Sequence, residues 1–128
     1  MLMVKTKLGP SKIHGIGLFA NENISKGTLI WQYNPELDIK ITKECLNSLP
    51  DVARDRILHY SYYNDNENLY ILCFDDARFF NHSETPNTID DSSLESAVIA
   101  AKDIVIGEEI TSNYLVFDGD AMRKLAKN

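Results

Sequence analysis

The apolar residues of this chain come in short packets, and that spacing limits the possible folds more than any other feature. Runs rich in β-formers and bounded by turn residues recur at 28–33, 37–41, 69–74, 97–101 and 109–114. None is long enough for a large sheet, so the expected fold class is mainly β with short helices, the sheet content divided among several small pieces. Between the second and third runs, Leu46, Leu49, Ala53, Ile57 and Tyr60 recur at spacings of three and four. That spacing puts them on one face of a helix, with Pro50 splitting or starting it. A short last helix is expected over 121–126. No repeat, low-complexity stretch or linker divides the 128 residues, a length that suits one domain.

The opening, MLMVKTKLGP, lacks an apolar signal core, and runs such as 69–74 are far too short to cross a bilayer. The expectation is an intracellular protein, cytoplasmic or nuclear, with no membrane partner. Cys45 and Cys73 show no spacing that suggests zinc or a disulfide framework, so both are expected to be structural and reduced. Lys and Arg number 13 against 19 Asp and Glu, a formal charge of −6. Proteins that bind nucleic acid through its phosphates concentrate positive charge, so no direct nucleic-acid partner is expected. Residues 1–28 hold four lysines against one glutamate, whereas 75–95 hold six acids against Arg78 alone. Such a middle suits a Lys-rich partner, and it equally suits a surface that only needs to stay soluble.

Three clusters carry the functional signal. The first, His14-Gly15-Ile16-Gly17-Leu18-Phe19-Ala20, formally contains G-x-G-x-x-A. The dinucleotide fingerprint needs a helix after its glycines, and 21–27 reads as a turn-rich connection, so that reading fails. Paired glycines still let a backbone turn sharply and approach a flat ligand, or simply form a loop before a strand. The second cluster, RFFNHSETPN at 78–87, sets two aromatics before a dense polar run, the mark of a specially shaped loop. In the third, KDIVIGEEITSNY at 102–114, a turn at Gly107 leads into a strand ending on Tyr114. An ordinary tyrosine there would be a core residue with a tied hydroxyl.

In this order, the clusters resemble the SET-domain family of S-adenosylmethionine-dependent protein lysine methyltransferases. The opening GIGLFANENISKGTLIWQY is similar to the family's G-x-G-x-F-A segment, Lys-Gly turn and strand. RFFNHSETPN is similar to R-F-x-N-H-S-x-x-P-N, and AAKDIVIGEEITSNY to A-x-(R/K)-D-I-x-x-G-E-E-(I/L)-T-x-x-Y. The resemblance covers most of the chain and implies a single SET domain over 1–128, a β-clip of small sheets with a C-terminal pseudoknot. It makes 42–60 a helical variable insert that shapes the substrate groove, and 115–128 a short C-terminal tail. It implies S-adenosyl-L-methionine as cofactor, held by Gly15, Gly17, Leu18 and Phe19 and by Asn81 and His82, with Arg78 and Phe79 building that wall. Tyr114 matches the catalytic tyrosine, and Phe117 is expected to pack on the adenine.

The implied reaction is methyl transfer to the side-chain amine of a lysine in a Lys-rich protein or peptide, histone tails being the family's best-known class. Cofactor and peptide are expected to enter from opposite faces. The alternative is a SET-like protein-binding module that no longer transfers methyl groups. Two departures matter. Glu84 stands where a zinc-binding cysteine is common and no cysteine cluster follows, so no metal is expected. Ser112-Asn113 replaces an aromatic-Asp pair, which implies a wider lysine channel and more than one added methyl. Dimerisation is one way to complete the groove, although no residue here points to it directly.

Overall fold

In a computed structural model of the chain, which describes residues 1–91 and 96–126, the strands form four separate small sheets. β1 (Thr6–Pro10) and β2 (Ile16–Ala20) make an antiparallel hairpin. Its loop is turned by Ser11, whose Oγ accepts the amides of Ile13 (2.9 Å) and His14 (3.3 Å), and by Gly15 at φ +48°. β3 (Leu29–Gln32), β8 (Thr88–Asp91) and β9 (Ala97–Ala100) form a three-stranded sheet with β9 central. Ile30 and Trp31 are both buried although they are neighbours on one strand. An irregularity in the register between Leu29 and Trp31 allows this, because a bulge re-aims a side chain that strict alternation would turn outward.

The third sheet joins β4 (Ile39–Ile41), β6 (Leu69–Leu72) and β5 (Tyr62–Asn64), with β6 central. The expected run at 109–114 holds only a two-residue strand, β10 (Thr111–Ser112), paired in parallel with β7 (Asn81–His82). The next residue but one, Tyr114, opens the short helix α3 (Tyr114–Phe117) instead of ending a strand. Asn113 causes the switch by capping that helix, its Oδ1 accepting the Leu115 amide at 3.0 Å.

The helical stretch is two helices. Thr42 caps α1 (Lys43–Asn47) by accepting the Cys45 amide at 3.1 Å, and Pro50 immediately precedes α2 (Asp51–Tyr60). Proline has no N–H to continue the first helix, so it both splits the stretch and starts the second half. Leu46 is buried, while Leu49, Ala53, Ile57 and Tyr60 share a half-buried face. Cys45 is a correction: it is exposed on α1 and has no core role, whereas Cys73 is buried in the core. The last helix lies where expected, at α4 (Ala121–Ala126). Arg123 ties it to α2 by donating to the Leu58 carbonyl at 3.1 Å, one of the unpaired carbonyls that end every helix.

The core gathers Ala20, Ile24, Ile30, Trp31, Cys73, Ala77, Ala100, Ile104 and Ile110, drawn from nearly the whole length of the chain. Through it runs the segment 109–112, bonded on two sides. Ser83 donates its amide to the Ser112 carbonyl (2.9 Å). From the other side Asn87 donates to the Glu109 carbonyl (2.8 Å) and accepts the Thr111 amide (2.9 Å), and the Thr88 hydroxyl donates to the Thr111 carbonyl (2.8 Å). The loop 81–88 therefore encircles the segment, which is the threaded arrangement expected from the sequence. Of the acidic stretch 75–95, Glu95 lies outside the described residues, as do the final two residues of the 115–128 tail. Among the described residues, no helix is long and apolar enough to cross a membrane.

Candidate functional site

Asn81 is the joint of the site. It is buried, and its side-chain amide donates to the carbonyls of His14 (3.0 Å) and Ile16 (3.3 Å) and to Glu109 Oε2 (2.9 Å). The Asn-His strand thus holds the glycine loop in place. Glu109 also accepts the Ser11 hydroxyl, at 2.7 and 2.9 Å. A carboxylate fixed this way must fit against β2, and Gly17 makes the room: a Cβ there would lie 2.4 Å from Glu109 Oε2. Gly17→Ala is therefore expected to displace Glu109 and destabilise the fold by about 1–3 kcal/mol, the usual cost of overpacking. Denaturant unfolding of the variant measures it. Gly15 differs, since a Cβ there would meet nothing within 4 Å and the space beside it is open.

Leu18 and Phe19 lie in the middle of β2, where backbone groups are taken on both edges. One edge pairs with β1; along the other, Leu18 O accepts the Ile110 amide at 2.7 Å and Phe19 bridges to Glu109. Leu18 is wholly buried. The part of the glycine segment left open to a ligand is the exposed turn 12–16.

His82 follows Asn81 and meets Tyr114. Its Nδ1 accepts the Tyr114 amide at 3.1 Å, so the ring proton sits on Nε2, and the two rings are 5.3 Å apart. The Tyr114 hydroxyl donates to the Phe80 carbonyl. Burial, helped by the negative charges of Asp118 and Glu109, pushes its phenol up to about 12, so it stays protonated at neutral pH. On the far side of Tyr114 from the glycine loop lies a cavity of about 520 Å³, walled by Trp31, Tyr62, Phe80, Ser112, Tyr114 and Phe117 among others. Trp31 Nε1, Ser61 Oγ and Ser112 Oγ, on residues that line it, are buried and without a hydrogen-bond partner among the described residues. Unpaired buried polar atoms are costly.

The predicted residues therefore fall into two groups with Tyr114 and His82 between them. Gly15, Gly17, Asn81 and His82 gather at the glycine loop. Arg78, Tyr114 and Phe117 line the cavity. Arg78 donates to the Cys73 carbonyl at 2.8 Å and stacks over Tyr60, against which Phe79 packs edge-on at 5.6 Å. Phe117 lies against Tyr62 (5.4 Å) and Tyr114 (6.0 Å). Sequence reasoning missed Glu109, Ser11, Ser61, Tyr62 and Trp31. Glu109 lies inside the third cluster, but nothing there marked its contact with Asn81 and Ser11; the others had no signal. Among the described residues, no three His, Cys, Asp or Glu side chains group as a metal site.

Fold and site together define a domain of small sheets in which a threaded segment leads to a half-buried tyrosine between a glycine loop and a cavity. The chain belongs to the SET-domain family, which it matches over residues 15–115. It is 32% identical over 114 residues to an H3 lysine-4 specific histone-lysine N-methyltransferase of Schizosaccharomyces pombe, covering 83% of this chain and 12% of that protein. It is 30% identical over 115 residues to an H3 lysine-36 specific histone-lysine N-methyltransferase of Debaryomyces hansenii, covering 83% of this chain and 15% of the relative. The match thus spans less than a sixth of either relative. Among solved structures, the Chaetomium thermophilum Polycomb Repressive Complex 2 bound to GSK126 superposes with a TM-score of 0.68 at 22% identity, over 97% of this chain and 17% of that one.

Proposed function

We propose that this domain transfers a methyl group from S-adenosyl-L-methionine to the side-chain amine of a protein lysine. The observation that carries the reading is the position of Tyr114, joined through His82 and Asn81 to the glycine loop on one side and lining the cavity on the other. The loop residues fit the cofactor. The space beside Gly15 is open, and the turn is fixed by Asn81 rather than by core packing, so it can accept a flat ligand without rearranging. Gly15, Asn81 and His82 would hold the molecule, while Leu18 and Phe19 support the loop from within the sheet. Bound there, S-adenosylmethionine supplies a methyl carbon made electrophilic by its sulfonium.

The chain itself has to align an amine and keep it neutral. Tyr114 donates its hydroxyl hydrogen bond to the Phe80 carbonyl, which leaves its oxygen lone pairs to accept an N–H of the incoming amine and so fix the direction of the nitrogen lone pair. Trp31, Tyr62 and Phe117 give the cavity aromatic walls along which an aliphatic side chain would shed water. Lysine titrates near 10.4 in water, and desolvation lowers that value toward the reactive neutral form. No side-chain carboxylate is needed as base. The acidic surface suits a Lys-rich target such as a histone tail, mainly by steering its approach. Methyl incorporation into Lys-rich peptides, followed by mass spectrometry with the labelled cofactor, tests the reading; saturable cofactor binding without any transfer would favour the binding module.

Ser112 bears on how many methyl groups are added. It is a small buried wall residue of the cavity, 5% exposed, where a ring would fill space. Di- and trimethyllysine products are expected, with Ser112→Phe shifting them toward monomethyl. Finding only monomethyl product from the unaltered protein would contradict this.

A further inference from the structure

A lysine of this chain already reaches into the cavity. Lys124, on α4, has its Nζ 2.8 Å from Asp118 Oδ2, donates to the Ser61 carbonyl, and stands 5.7 Å from the centre of the Tyr114 ring. All four residues line the cavity. The surroundings are built for a cation. The Asp118 side chain is only 1% exposed, and its Oδ1 is filled by the amides of Tyr63 and Asp120, each at 2.9 Å. That leaves Oδ2 facing the ammonium. The ring face of Tyr114 supplies a second attraction, since an aromatic face is the negative part of its quadrupole.

We propose that Asp118 Oδ2, the Ser61 carbonyl and the Tyr114 ring form an ammonium-binding subsite within the cavity, occupied at rest by Lys124, which a substrate's primary alkylammonium must displace. With its Nζ against Asp118 Oδ2 and the Ser61 carbonyl, Lys124 occupies the place that a substrate amine would need. Its displacement exposes a buried carboxylate, and that loss is made good only by another cation in the same place. A neutral side chain of equal length cannot do so. The subsite thus favours a lysine over an uncharged residue at the entry step, before the amine loses its proton near Tyr114. Lys124 reports on whether α4 is docked, because Arg123, one residue earlier, ties that helix to α2.

The subsite is tested without methyl transfer. Lys124→Ala is titrated with n-butylammonium, with 1-butanol and sodium chloride at equal concentration as controls. The expected result is saturable binding of n-butylammonium to the variant, with a rise in Tm that neither control produces and that the unaltered protein does not share. If Lys124→Ala is unfolded alone, n-butylammonium is expected to restore its far-ultraviolet circular dichroism. A folded variant that binds no amine, or an unfolded one that the amine does not rescue, overturns the proposal. Competition by Lys124 rests on the methyltransferase reading. In that arm Lys124→Ala is expected to lower the KM for a lysine peptide about tenfold, as removal of a resident competitor should, with the cofactor Kd unchanged. Amine binding with no transfer in any variant would sink the methyltransferase reading and leave the subsite standing; transfer with no amine binding would do the reverse.

Discussion

Tyr114→Phe is expected to lower the rate of methyl transfer by about 100-fold or more, the scale on which lost alignment or a lost polar contact slows enzymes. The ring stays, so its packing against His82 and Phe117 is kept and the chain remains folded. What disappears is the hydroxyl, which donates to the Phe80 carbonyl and offers lone pairs to the amine. Without it the amine can enter the cavity but has no fixed direction. Cofactor binding should change by less than about twofold, because the hydroxyl lies on the cavity side of the ring and the loop contacts of Asn81 are untouched; a twofold change is small on the scale of 1.4 kcal/mol per decade. Single-turnover transfer and calorimetric cofactor titration on the same preparation separate the two effects. Equal rates for variant and parent would remove Tyr114 from the reaction.

Asn81→Ala should act on the other side. The amide's two hydrogens are shared among two loop carbonyls and the Glu109 carboxylate; alanine takes that donor from the carbonyls, while Glu109 keeps the Ser11 hydroxyl. An orphaned acceptor costs up to about 1–3 kcal/mol when buried, and less in an exposed turn that water can enter. A loss of about 2 kcal/mol in unfolding free energy is a sober expectation. The glycine turn is then released, and cofactor affinity is expected to fall tenfold or more, since ordering the turn has to be repaid on binding. Asn81→Asp should be worse still, because it sets a second carboxylate beside Glu109. An alanine variant that is less stable yet binds the cofactor unchanged would reduce Asn81 to a structural role.

The sequence made the site more legible than the sheets that hold it. The three clusters are dense in residues with few alternatives, and the structure brings Gly15, Asn81, His82 and Tyr114 together as their order implied. The strands were harder to see where hydrogen bonding rather than apolar patterning makes them. β1 reads TKLGP, with little apolar alternation, and exists because its backbone pairs with β2. β7 and β10 are two residues each, below any periodicity. β5, YYN, was hidden at the end of the helical pattern. Phe117 shows the limit on side chains: its place beside Tyr62 is set by Asn113 turning the chain into α3, and no local pattern in the sequence foretells which wall a ring will reach.

The encircled segment 109–112 also sets a timetable for the molecule. Its partners at 81–83 and 87–88 lie more than twenty residues upstream, and pairing in parallel needs a long crossover between them. Closing such distant contacts is slow, and the last strand has to find a ring of backbone that is already half built. The glycine hairpin and the β3 region precede the stretch carrying Tyr114 in the chain, and Asn81 and His82 meet that stretch across some thirty residues. The arrangement of Asn81, His82 and Tyr114 is therefore complete only once that distant pairing has closed.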